Sequence, residues 1–136
     1  ALESEFKHIQ FAVGLNQRTL VLAGSTIQSN GVITLDSSTT ISNAASGTLD
    51  LKDDSSIING GNAGPRWFSN VGNLIKSGSG NNVSLIGAGI SDIRQSLTNS
   101  GTVTAQSGNL RFTAGYVQSG GATRVNGGTL TSTTGT

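Results

Sequence analysis

The sequence predicts an all-β chain wound as a right-handed parallel β-helix, a β-solenoid. Three observations carry that expectation. Ser, Thr, Asn and Gly make up 67 of the 136 residues, and short β-branched and leucine runs are scattered between them. That mixture suits many short strands joined by tight turns around a core too thin to need aromatics. A glycine closes one short motif seven times between residues 29 and 128, and a strand-like run follows each time. Within those runs apolar and polar residues alternate, the sign of half-buried strands. Internal repetition of this kind points to stacked units, each lending its neighbour the burial it lacks alone. Parallel strands joined by such crossovers are expected to wind right-handed.

From the amino terminus, residues 1–18 read as a capping, docking or exchanged segment, and residues 19–136 as the solenoid proper. Leu2, Phe6, Ile9 and Val13 would share one face of a helix laid over the first coil. Ile9, Phe11 and Val13 alternate instead as a strand would. Both readings stay open, and either makes Phe6, Ile9, Phe11 and Val13 candidate interface residues.

The repeats follow. Asn30-Gly31 precedes VITL, Ser46-Gly47 precedes TLDL, and Val71-Gly72 precedes NLIK. Ser100-Gly101 precedes TVTA, Ser107-Gly108 precedes NLRF, Gly120-Gly121 precedes ATRV, and Gly127-Gly128 precedes TLTS. Gly101 to Gly121 and Gly108 to Gly128 both span 20 residues, near the low end for solenoid repeats. Gly31 to Gly47 spans 16, which predicts shorter or flatter early coils. Between Gly72 and Gly101 the excess is assigned to the SGSGNN turn and to a protruding loop at 89–95.

Stacked in this register, one column reads Ile33, Leu49, Leu74, Val103, Thr123 and a second Leu35, Leu51, Lys76, Ala105, Val125. A third joins Val83, Leu110 and Leu130, with Leu85 beside Phe112, and a fourth sets Leu97 next to Val117. Lys76 and Thr123 sit awkwardly in inward columns: the register slips there or that corner is open to water. Gly and Asn belong at the corners, where bends require positive φ, and aligned Asn and Ser/Thr side chains are expected to form hydrogen-bonded ladders. The final TLTSTTGT carries no capping element, which predicts either a slice of a longer array or an exposed coil, Leu130 included, that receives the next subunit.

The stretch 60–69 holds the single Pro and the single Trp. It reads as a loop where Phe68 with Trp67 plugs the core, as an Arg66-Trp67 interface contact, or as a sugar-stacking platform.

Chemistry is sparse. A formal charge of +1 without a basic cluster gives no footprint for nucleic acid, and no apolar run is long enough to insert in a membrane. Cys is absent, and His8 has neither metal-ligand company nor a nucleophile at a recognisable spacing. Asp53-Asp54 reads as a turn; with Asp50 it would be a weak calcium site. Arg111 and Arg124 fall on different columns with no acid expected beside either, so the clustered carboxylates of a polysaccharide-cleaving enzyme are missing. The sequon at Asn82 reads as a chance match, and the Thr pairs are too irregular for an ice-binding face. No enzymatic activity, no cofactor and no metal are expected.

The run from NVGNLIKSGSG through NSGTVTAQSGNLRFTAGYVQSGGATRVNGGTL resembles the degenerate repeats of bacterial β-helical surface proteins, autotransporter passenger domains and filamentous-haemagglutinin-type adhesins. The resemblance spans about residues 31–136 and is loose, because such repeats are compositional. It implies a secreted or surface-exposed protein with an adhesive, matrix or fibre role. The leading expectation is a structural subunit that polymerises with itself head to tail at the cell surface or outside it. The alternative is an adhesin segment that binds glycans or host proteins through side loops such as 87–95, and a polysaccharide-degrading β-helix enzyme comes a distant third.

Overall fold

A computed structural model describes residues 2–3, 8–9, 13–80 and 88–133; of Leu2, Glu3, His8, Ile9 and Val13 it gives the backbone alone. Among the described residues every regular element is a strand. The chain runs through β1 (Leu2–Glu3), β2 (His8–Ile9), β3 (Val13–Leu15), β4 (Thr19–Leu22), β5 (Ser25–Gln28) and β6 (Val32–Leu35). It continues through β7 (Thr39–Asn43), β8 (Thr48–Lys52), β9 (Ser56–Asn59), β10 (Arg66–Asn70), β11 (Asn73–Ser77) and β12 (Ile90–Ile93). The last six are β13 (Ser96–Asn99), β14 (Thr102–Ala105), β15 (Asn109–Phe112), β16 (Tyr116–Gln118), β17 (Ala122–Val125) and β18 (Thr129–Ser132).

Each strand pairs in parallel with the strand three places before or after it. The result is three six-stranded sheets: β1-β4-β7-β10-β13-β16, β2-β5-β8-β11-β14-β17 and β3-β6-β9-β12-β15-β18. This is a β-solenoid, as the repeats predicted. The described parts of the first 18 residues supply a strand to every sheet; Ile9 and Val13 fall in strands of different sheets and not in one alternating strand, and Phe6 and Phe11 lie outside the described residues.

Alternation decides what fills the interior. In the first sheet Leu20, Ile41, Phe68, Leu97 and Tyr116 form one inward column. In the second, Leu49, Leu74 and Val103 stack as expected, with Thr123 above them. Below Leu49, however, stands Thr26, and below Leu51 stands Gln28. Ile33 and Leu35 belong instead to the third sheet, where Ile33 meets Ile57. The 16-residue spacing misled because Gly31 and Gly47 precede strands of different sheets. True neighbours such as Leu20 and Ile41 are 21 residues apart, so the early coils are not short.

Two further registers differ from expectation. Leu97 pairs with Tyr116, and Val117 faces outward beside Thr98. Tyr116 wins the inward position because its ring stacks on Phe112 at 4.5 Å and its hydroxyl accepts from Asn99. Leu110 does sit against Leu130, but below Leu110 lies Ser91, and below Phe112 lies Ile93. Val83 and Leu85 lie outside the described residues. Residues 90–93, expected in a protruding loop, are strand β12. The extra length lies earlier in the sequence, between β11 and β12, where Gly89 N–H donates to Gly80 O.

Two ladders hold one corner of the stack. Asn43 Nδ2 donates to Asn70 Oδ1, and Asn70 Nδ2 to Asn99 Oδ1, both at 2.7 Å and fully buried. The same amides reach the carbonyls of Asn73 and Thr102 where the chain turns into the next sheet. Beside them runs a column of glycines. A Cβ on Gly101 would meet the carbonyl oxygens of Gly72 and Val71, and one on Gly121 (φ 65°) the carbonyl of Gly101. The corner is too tight for any side chain, which explains why the sequence punctuates it with glycine.

Candidate functional site

Among the described residues, chemistry-bearing side chains gather in four places. At the corner between the second and third sheets, Lys76 points inward between Leu51 and Ala105 and is fully buried. The register therefore does not slip at this lysine, and the corner is closed to water. Its Nζ donates to the carbonyls of Ser77 (2.9 Å) and Gly78 (2.7 Å). Burial pulls its pKa below the ordinary lysine value, and the carboxylates of Asp53, Asp50 and Asp54 oppose that shift. Asp53 takes the left-handed conformation (φ 55°), and its carboxylate accepts from Gly80 N–H. Asp53-Asp54 is thus the turn the sequence predicted. Among the described residues no three His, Cys, Asp or Glu side chains come together as metal ligands.

The second place is an ion cluster that sequence reading missed. Asp92 is 1% exposed in its side chain and accepts from Arg111 Nε and NH2 at 2.5 and 2.9 Å, while Arg94 approaches at 3.3 Å. Arg111 therefore does have an acid beside it, one strand down in the same sheet. The hydrogen bond that Arg111 donates to the Asp92 carboxylate raises the arginine's pKa further above its already high value. The signal was latent in Ile90-Ser91-Asp92-Ile93 and Asn109-Leu110-Arg111-Phe112, which align residue for residue only once the additional residues between β11 and β12 are set aside. Arg111 and Arg124 do stand on different sheets, and Arg124 lies beside Thr104 on the second.

The third place surrounds Arg66 and Trp67. Arg66 is not free to act as an anchor. Its guanidinium donates to the carbonyls of Leu35 (2.6 Å), Gly64 (3.2 Å) and Asn62, and so fastens the loop between β9 and β10. Phe68 plugs the core as expected. Trp67 takes no part in that plug, because its side chain faces outward from β10 and the residue is 51% exposed.

The fourth is the last coil, β16–β18. Thr123 and Val125 occupy the inward columns above Val103 and Ala105, yet both are exposed, Val125 to 60%. Leu130 packs on the core from above and remains partly open. The exposure of Thr123 thus reflects its place on the outermost strand of the second sheet and no change of register. The candidate interface residues therefore separate: Trp67 stands on a sheet face and Leu130 on β18, the outermost described strand of the third sheet. Ile9 and Val13 lie in β2 and β3 beside Gln28 and Ile33.

A scan against protein-family models finds no match, and neither a curated protein nor a solved structure matches the chain.

Proposed function

We propose that the chain is a non-catalytic structural subunit of an extracellular filament or surface matrix, and that copies associate end to end through their β-solenoid coils. The exposure of inward-column residues on β17 and β18 supports this reading. Val125 and Thr123 continue columns that are fully buried one coil below, and Leu130 does the same above Leu110. An apolar column interrupted at its last member gains burial when another parallel coil is laid on it. The main-chain groups of β16, β17 and β18 on that side are edge groups in all three sheets at once, a template for strand addition. The occupant proposed for such a face is the first coil of a second copy, whose β1, β2 and β3 are the opposite edge strands of the same three sheets.

Electron microscopy and sedimentation over a concentration series test this. Filaments or oligomers should lengthen with concentration, and Val125→Lys should stop them by placing a charge in the joint. Monodisperse monomers up to the solubility limit overturn the proposal.

A further inference from the structure

The three outer faces of the solenoid differ in charge. The second sheet shows Asp50 and Arg124, and the third shows the Asp92–Arg111 pair. The first sheet presents two rows across its strands. From β4 to β16 one row reads Thr19, Thr40, Trp67, Ser96 and the next Val21, Ser42, Ser69, Thr98, Val117, with no ionisable residue in either; Glu3 pairs with Val21 at the edge strand β1, three strands away from Trp67. Their inward neighbours Leu20, Ile41, Phe68 and Leu97 are fully buried, so alternation turns these rows outward.

Trp67 lies between Thr40 on one side and Ser96 on the other. Its backbone is fixed by pairing on both sides, and the neighbouring Arg66 locks the loop that enters the strand. The indole is therefore a half-exposed aromatic held on a rigid, flat, uncharged surface bordered by hydroxyls.

We infer that this face binds a neutral, ribbon-like polysaccharide lying along the solenoid axis, with one sugar stacked on Trp67. A pyranose ring is about as long as the spacing between neighbouring strands, roughly 4.8 Å. Successive sugars of an extended β-linked chain then fall over successive strands, β7, β10 and β13. The apolar C–H face of the middle sugar covers the indole, and indole N–H and the Thr and Ser hydroxyls exchange hydrogen bonds with sugar hydroxyls. The lack of charge favours a neutral polymer over a polyuronate, which would call for cationic partners. A protein partner would be expected to use a wider apolar patch than one indole amid hydroxyls. This inference is independent of end-to-end assembly, because the rows lie on the side of the stack.

Trp67 is the only tryptophan, so intrinsic fluorescence reports this site alone. The full chain is sedimented with microcrystalline cellulose and with chitin, and titrated with cellohexaose while the emission is followed; polygalacturonate is the anionic control. Retention on a neutral polymer and an emission change with cellohexaose are expected, both insensitive to salt. Trp67→Ala should weaken retention about tenfold, as loss of one stacking contact does, and Trp67→Phe should restore most of it. An unchanged far-ultraviolet spectrum shows that Trp67→Ala leaves the solenoid folded. The inference is overturned by equal retention of Trp67→Ala, by no retention on either neutral polymer, or by binding confined to polygalacturonate. An emission change that follows protein concentration without sugar also overturns it, since the indole would then be covered by a second copy.

Discussion

Strands β11 and β17 hold corresponding places in the same sheet, yet their inward residues differ in fate. Leu74 and Lys76 of β11 are fully buried between β8 and β14. Thr123 and Val125 of β17 occupy the corresponding places above Val103 and Ala105 and are open to solvent. Backbone geometry, alternation and register are alike in the two; the presence of a coil on both sides is not. Burial in this fold is therefore a property of the stack. A strand's own sequence decides only which side chains are offered to it.

The largest test of that contrast is Leu74→Ala. The residue is fully buried between Leu49 and Val103, and neighbours paired into flanking strands cannot collapse into the void. A loss of about 2–5 kcal/mol is expected, read from urea unfolding midpoints. A loss below about 1 kcal/mol would mean that the middle coils are no better packed than the last.

The asparagine corner gives the next effect. Asn70→Ala removes the acceptor of Asn43 Nδ2 and the donor to Asn99 Oδ1. Asn43 keeps its bond to the Asn73 carbonyl, whereas Asn99 Oδ1 is left buried without that donor. Each such orphan costs about 1–3 kcal/mol. Gln118 extends the same column into the last coil but is exposed, so Gln118→Ala should change stability by no more than about 0.5 kcal/mol. Equal losses for the two would break the distinction between interior and end.

The solenoid itself was legible because its signals are local. Glycine marks a corner whether or not its stacking partner is known, and two equal 20-residue spacings set the register of the later coils correctly. Leu110 on Leu130 follows from that register, and Leu49–Leu74–Val103 from the glycine that stands two positions before each. Where a loop intervenes, periodicity no longer carries the count. The excursion after β11 displaced β12 in the reading and hid the pairing of Asp92 with Arg111. The Gly31–Gly47 interval joined two different sheets for another reason: glycine punctuates more than one corner of a coil, so an interval between glycines need not be a period. At Tyr116-Val117 both residues favour strands, and a slip of one residue exchanges the two faces. Only the stacking on Phe112 and the reach to Asn99 select the tyrosine, and those are contacts between residues whose adjacency the pattern does not encode. Exposure of Trp67 likewise follows from its alternation with Phe68, but the neutral rows beside it appear only when four other strands are placed.

Lys76 supplies a pH-dependent prediction. Its pKa is lowered in the folded chain by burial, so at alkaline pH below the ordinary lysine value of 10.5 the unfolded chain holds more protons than the folded one. Stability contributed by this group must then rise with pH toward 10.5. The cost of keeping the ammonium buried is fully present at lower pH and is relieved as the group loses its proton. Lys76→Met, which retains the length of the side chain without the charge, should remove this rise. Urea midpoints of both proteins between about pH 7 and pH 10 measure it, since titration of the other groups cancels in the difference. Parallel curves would show that the three aspartates offset the desolvation completely.

A small effect that depends on concentration is expected at β18. In dilute solution Leu130→Ala should cost about 1 kcal/mol or less, because a partly open leucine surrenders only part of its apolar surface to the core. If a second copy covers this coil, association stabilises the wild-type fold by mass action, and the melting temperature rises with protein concentration. Removing the leucine side chain weakens the joint as well as the subunit, so the gap between wild type and Leu130→Ala should widen as concentration increases. Leu74→Ala, buried entirely within one chain, should instead lower the melting temperature by a nearly constant amount across the series. A constant gap for both variants would confine the role of Leu130 to its own chain and leave the last coil without a partner of its own kind.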